Sequence, residues 1–339
     1  MRHILTILFL SVIASACTAT TGNESQDQEE TQVATTPDPD FTITTDQTHN
    51  KFSSAIPPIL TVPSGSVIEA STKDASDNQF SLASTVEDVA TLDFEPIHPL
   101  TGPVYVEGAE PGDILAVTLH DIEMGDWGWQ AVVPGFGFLA DQFTEPALKT
   151  FELGKDKTSI EFAEGINIPL NPFPGVMGVA PATGEMLSTI PPRANGGNMD
   201  DPHMVKGTTV YFPVFVEGAL FSIGDAHAVQ GLGEVCGTAI EAPMRFVYEL
   251  NLIKGERSIE EPQYETDDYY AVTGFGESLD EAAKKATEFM VEYLVDVHGL
   301  SRVDAYMLAS LAANLKIAEV VDMPHYLVTM HISKGVLGI

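Results

Sequence analysis

The chain is poor in several things. Two cysteines occur in 339 residues, Cys17 and Cys236. With Cys17 at the amino-terminal end and only one other thiol, no disulfide framework holds the folded part together. Cys236 sits among apolar and small residues and reads as a packing residue rather than a nucleophile. Basic residues are scarce: 16 Lys and Arg against 49 Asp and Glu, a formal net charge of −33. Nothing offers the basic footprint that nucleic acid needs, so that partner is excluded. The acidity reads as solubility in a salty habitat, where screened carboxylates repel one another less. The apolar run at the start, residues 4–13, is too short to span a bilayer. No G-x-S-x-G elbow is present, and Ser53-Ser54 lacks the glycine-rich frame of a Ser-Ser-Lys nucleophile site.

What is present is ordered along the chain. Apolar content of 44% allows a core, and the length suits two domains or one large β architecture. Met1, Arg2 and His3 precede the apolar run, and Ala14-Ser15-Ala16-Cys17 follows. A basic end, a short apolar stretch and small residues make a secretory signal over residues 1–17. Small residues directly before Cys17 resemble the lipobox of bacterial lipoproteins, with Ala14 where Leu is commoner. That resemblance implies a lipidated Cys17 as first mature residue, and a chain exported and anchored to a bacterial membrane. An ordinary signal peptide is the alternative. Residues 18–40, polar and rich in Thr, Gln, Asp and Glu, read as a disordered tether.

From 41 to 276 short apolar or alternating runs are broken by Gly, Pro, Asp and Asn. Residues 59–62, 67–71, 104–106, 114–119, 160–162 and 210–216 are strand candidates. Pro63-Ser64-Gly65, residues 110–113 and residues 172–175 mark turns. The pattern predicts a mainly β fold, a β-sandwich or jelly roll. Val106-Glu107-Gly108-Ala109 recurs as Val216-Glu217-Gly218-Ala219, a faint internal echo. Residues 277–339 differ. Ser278 and Glu281 form a capping box, and helical spacing from Ala282 to Val297 ends at Gly299. A second helix opens at Ser301, and closing strands over 316–321 and 326–332 flank Pro324. These predict an α/β part with two helices on the same core.

The chain is organised around residues 218–241, GALFSIGDAHAVQGLGEVCGTAIE. Its glycines predict a bent loop whose backbone can approach a ligand. Asp225 and His227 are two apart, so in an extended chain both point to one face. Carboxylate oxygen and imidazole nitrogen suit a divalent cation such as zinc.

Several stretches together resemble the acetamidase/formamidase family: residues 98–113, residues 192–200 (PRANGGNMD) and residues 218–241. His49 with Ile56-Pro57-Pro58, Lys73-Asp74-Ala75-Ser76 and residues 308–322 add to the likeness, which runs from about residue 45 to the carboxyl end. The resemblance implies a mostly β sandwich, a divalent metal (zinc before calcium), a homo-oligomer, and hydrolysis of short amides. Two departures stand out. Phe52-Ser53-Ser54 occupies the place of a common Trp-Asp-Asn, and Ala226 replaces a Gly. The chemistry needs a nucleophile, an oxyanion partner and a proton for the leaving amine. Without a serine or cysteine nucleophile, a water activated by a metal is the economical reading. His49, Asp74, Asp225 and His227 are then the candidate ligands. Glu234 and Glu107 are the candidate base or proton donor, and Gln230 and Asn198 the candidates to orient the amide. Asp200 and Asp201 read as a calcium site or as solvated, and His98 as structural. A non-catalytic exported lipoprotein that binds a metal or small ligand is the alternative function.

Overall fold

Alternation along the strands sets the layers. In the strand Tyr269–Gly276, Ala271 and Phe275 face one apolar cluster, and Tyr270 and Val272 face another. The strand Tyr326–Ser333 repeats this, with Leu327 on the first side and Val328, Met330 and Ile332 on the second. A sheet buried on both faces in this way must lie between two other layers. The computed structural model describes residues 36–339 apart from Glu256, and these form one compact unit. Cys17, the expected signal peptide and most of the expected tether lie outside the described residues.

The larger sheet has nine strands. Their order is Phe41–Ile43, Ser66–Ser71, Met244–Ile253, Ile114–Met124, Thr209–Pro213, Gln263–Glu265, Tyr269–Gly276, Tyr326–Ser333 and Ala313–Glu319. A six-stranded sheet covers its inner face. It runs Gly196–Asn198, Phe173–Gly178, Phe221–His227, Leu100–Val106 and Thr48–His49, with Leu60–Val62 also paired to Leu100–Val106. Aromatic rings join the two sheets: Phe221 meets Phe212 at 5.9 Å and Tyr248 at 5.4 Å between centroids. The fold is therefore mainly β and sandwich-like, as the short broken runs predict.

The helices Leu279–Asp296 and Arg302–Ala312 pack on the outer face of the nine-stranded sheet. The Ser278 side chain accepts from the Glu281 amide, while the Glu281 carboxylate takes the Glu277 amide rather than that of Ser278. Tyr270 stacks on Tyr293 with centroids 3.7 Å apart, and Gly274 has no room for a Cβ because Ala282 and Ala286 lie against it. The helix Arg302–Ala312 leaves Val303, Tyr306, Met307 and Leu311 exposed. The two copies of the echoed sequence meet in space. The Val106 amide donates to the Gly218 carbonyl, and the Gly218 amide to the Ala109 carbonyl, both at 2.9 Å.

Two local expectations need correction. Residues 221–227 are a wholly buried strand, and the bent loop begins only at Ala228. Gly224 serves strand contact rather than a turn, since a Cβ there would meet the Pro99 carbonyl and Leu100. Residues 173–178 are likewise a buried strand between two partners, not a turn. Burial from both sides outweighs the Pro-Gly turn signal there.

Candidate active site

Strand pairing brings the candidate residues together. Phe173–Gly178 lies beside Phe221–His227, and Met199 and Asp200 donate their amides to the Gly175 carbonyl. His227 and Glu241 form an isolated antiparallel bridge, as do Trp129 and Glu241. The amide of Gly233 donates to the Ala318 carbonyl, which carries the loop with Glu234 against the segment holding Glu319 and Asp322. Asp200, Asp225 and Glu234 all have positive φ, of 42°, 46° and 44°. Such backbone is costly for residues other than glycine and persists where surrounding contacts enforce it, often at functional sites.

The imidazole of His227 is the hub. Its Nδ1 lies 2.8 Å from Gln230 Oε1, and Gln230 Nε2 donates to the Asp200 carbonyl at 2.7 Å. The second bond fixes the amide's orientation, so Gln230 Oε1 is an acceptor and the His227 proton on that side is Nδ1–H. His227 Nε2 then faces carboxylates, with Glu241 Oε2 at 3.0 Å and Asp225 Oδ1 at 3.7 Å. Asp225 Oδ2 is 3.8 Å from His98 Nδ1. His98, Asp200, Asp225, His227 and Glu241, with Asn198, Trp129, Glu234 and Asp322, line a cavity of about 50 Å³, room for a few water-sized atoms.

Among the described residues no Lys or Arg lines this cavity. Six buried carboxyl groups gather in and beside it: Asp200, Asp225, Glu234, Glu241, Glu319 and Asp322. Burial pushes Glu234 well above the usual carboxylate range, with the Asp200 charge adding to it. Asp322 goes the same way through burial, Asp200 and Glu319. Burial raises Glu241 to about 7 against the opposing pull of His227. Burial would raise Asp225 too, but His98 and His227 bring it down to about 2. Burial would lower His227, yet Glu241 and Asp225 hold it well above the ordinary imidazole value.

The donor set fits a cation. Asp200 Oδ1, Asp225 Oδ1, Glu241 Oε2, Asn198 Oδ1 and His98 Nδ1 are buried with no hydrogen-bond partner. Glu241 Oε2 counts among them although His227 Nε2 is near, because proximity is not matched by hydrogen-bond alignment. Carboxylate and amide oxygens left facing one another in a buried cavity are expensive unless a cation, protons or water join them. Asp225, His227 and Glu241 each offer an atom within 4.8 Å of the others, as do Asp200, His227 and Glu234.

The structure brings Asp225, His227, Glu234, Gln230 and Asn198 together, and it separates the other sequence candidates. His49 is not beside the cluster: Nδ1 is 2.7 Å from the Lys51 carbonyl and Nε2 2.9 Å from Ser222 Oγ, so both nitrogens are taken. Burial lowers its pKa to about 4 against that carbonyl. Asp74 is also spent. Its oxygens accept from the Ser76 amide and hydroxyl, the Asn78 amide at 2.8 Å and Trp129 Nε1 at 2.9 Å. It caps its own turn and fixes Trp129 against the cavity. Glu107 stands exposed in the Val106–Ala109 turn. Gln230 has both ends of its amide committed, so it holds His227 rather than a substrate. His98, read as structural, and Glu241, Asp200 and Asp322 belong to the cluster. Glu241 lies within residues 218–241, but only the bridge to His227 reveals its place.

Fold and site define a β-sandwich enzyme with a closed carboxylate–imidazole centre. The Acetamidase/Formamidase family model matches residues 36–188 and 182–338. An acetamidase from Mycolicibacterium smegmatis is 31% identical over 269 residues, 61% of this chain and 66% of that protein. A formamidase from Methylophilus methylotrophus is 28% identical over 317 residues, 74% of this chain and 75% of that protein. The crystal structure of an acetamidase from Bacillus halodurans superposes with a TM-score of 0.82 at 32% identity, covering 88% of this chain and 98% of that one. The chain belongs to the acetamidase/formamidase family, and it is an amidase acting on carbon–nitrogen bonds.

Gly175 gives a test of the geometry. A Cβ there would meet Asp200 Oδ1, His227 Cε1 and the Asp225 carbonyl, all within 3.0 Å. Gly175→Ala is expected to lower amide turnover by about ten- to hundredfold, since displacements near 1 Å cost that much, while circular dichroism stays unchanged. Full activity in this variant would show that the cluster tolerates displacement.

Proposed function

We propose that the protein hydrolyses short linear amides of the formamide and acetamide kind, releasing ammonia and a carboxylate, at a divalent cation held by Asp225, His227 and Glu241. The observation that supports this most is the set of unpartnered carboxylate oxygens around His227 Nε2. The nitrogen donor favours zinc over calcium. A cation bound there would polarise the amide carbonyl and acidify a water.

The chain's own residues supply the rest. Asn198 Oδ1, buried and free, accepts an N–H of the substrate amide. Glu234, its carboxyl pushed well above the usual range by burial and by Asp200, is placed to hand a proton to the leaving nitrogen and to recover one from the water consumed. Gln230 keeps the His227 proton on Nδ1 and Nε2 free for the centre, as outer partners of ligand histidines do. The small cavity excludes bulk water and favours substrates of one or two carbons. Stripping divalent ions with a chelator, or His227→Ala, should each cut ammonia release from formamide by at least about a thousandfold. Turnover by metal-free protein at the full rate would refute the mechanism. Metal binding without turnover of any amide would favour the non-catalytic reading.

We further propose that the chain is exported and lipid-anchored at Cys17, on the strength of residues 1–17. A homo-oligomer is proposed as well, supported by the exposed apolar face of the helix Arg302–Ala312. Fractionation and native mass of the full chain beside Cys17→Ser test both. The wild type should partition with membranes, the variant should not, and both should exceed the 36.4 kDa monomer. A wild type outside the membrane fraction refutes the anchor, and a monomeric mass refutes the oligomer.

A further inference from the structure

Asp200 and Asp201 are sequence neighbours whose side chains enter different networks. Asp200 faces His227. Asp201, fully buried, lies with His203 and with His331 of the strand Tyr326–Ser333. His203 Nδ1 is 2.6 Å from Asp201 Oδ1, and Tyr264 Oη donates to Asp201 Oδ2 at 2.5 Å. The single Tyr264 proton is thereby used. Toward His331 Nε2, 3.0 Å away, Tyr264 Oη is an acceptor, and Thr329 Oγ1 lies 2.9 Å from the same nitrogen. His331 therefore carries its proton on Nε2 and a lone pair on Nδ1. That nitrogen is buried and has no partner, in a residue only 4% exposed.

Asp201, His203 and His331 each present a ligand atom within 4.8 Å of the other two, and the two imidazole rings are 4.6 Å apart at 67°. One carboxylate and two imidazoles form a donor set for zinc and other borderline divalent ions. We propose that these three residues form a second divalent-metal site, separate from the catalytic cavity, which ties the turn carrying Asp200 to the nine-stranded sheet.

Lys316 guards the site when metal is absent. Its ammonium donates to His203 Nε2 at 2.9 Å, which keeps the His203 proton on Nδ1 toward Asp201. Metal taking Nδ1 moves that proton to Nε2, and Lys316, partly exposed on the edge strand Ala313–Glu319, turns out to solvent. Zinc bonds of about 2.0–2.1 Å hold neighbouring donors somewhat over 3 Å apart. The Asp201–His203 contact then opens by roughly 0.7 Å, which the partly exposed His203 ring can give.

The test is zinc stoichiometry by equilibrium titration of chelator-stripped full-length protein. His227→Ala should still bind one equivalent, and His227→Ala/His331→Ala none. Lys316→Met in the otherwise unaltered chain should tighten one equivalent by about tenfold or more. No zinc on His227→Ala, equal binding by the double variant, or no change with Lys316→Met would overturn the second site. Loss of the catalytic site alone would leave these expectations in place, so the two readings fail separately.

Discussion

The constraint behind this structure is negative charge buried where, among the described residues, no Lys or Arg meets it. Asp200, Asp225, Glu234, Glu241, Glu319 and Asp322 are all out of solvent, and the cavity lining offers only His98 and His227 against them. Six ionised carboxylates in a low-dielectric space would cost far more than a domain's whole stability. Protons and a cation are the available remedies. The raised pKa values of Glu234, Glu241, Glu319 and Asp322 record the first, and the unpartnered oxygens near His227 Nε2 leave room for the second.

The sandwich keeps this arrangement from relaxing. The strand Phe221–His227 sits between two partners, so Asp225 and His227 cannot turn away from one another. Glu241 is fixed by backbone pairing to His227 and Trp129, and its other oxygen accepts the Ala239 amide at 2.8 Å. Asp74 holds Trp129 by its indole N–H. Gly175 leaves the space into which Asp200 and His227 project. A rigid strand thus carries Asp225 and His227, while the loop after Ala228 contributes Glu234 and closes the cavity.

Much of the fold was legible in the sequence. Short alternating runs gave the strands, and Ser278, Gly299 and Ser301 marked both helices because capping chemistry is local. The pair Asp225–His227 was suggested by its spacing together with the resemblance carried by residues 218–241. What eluded sequence reasoning depends on contacts between distant segments. Pro174 and Gly175 carry turn signals yet lie in a buried strand, because flanking strands decide their conformation. His49 has ligand chemistry, but Ser222, far along the chain, takes its Nε2, whereas Asp74 caps its own turn, the local alternative to a ligand role that its sequence also offers. His98, Glu241 and Asp322 join the site only through pairing and loop packing.

The central claim is that a cation sits where these carboxylates meet His227. The most direct measurement is anomalous X-ray scattering at the zinc edge from crystals of zinc-loaded protein. The account predicts a peak bounded by Asp225, His227 and Glu241. Full loading with no density there, and those oxygens paired by protons instead, would contradict it.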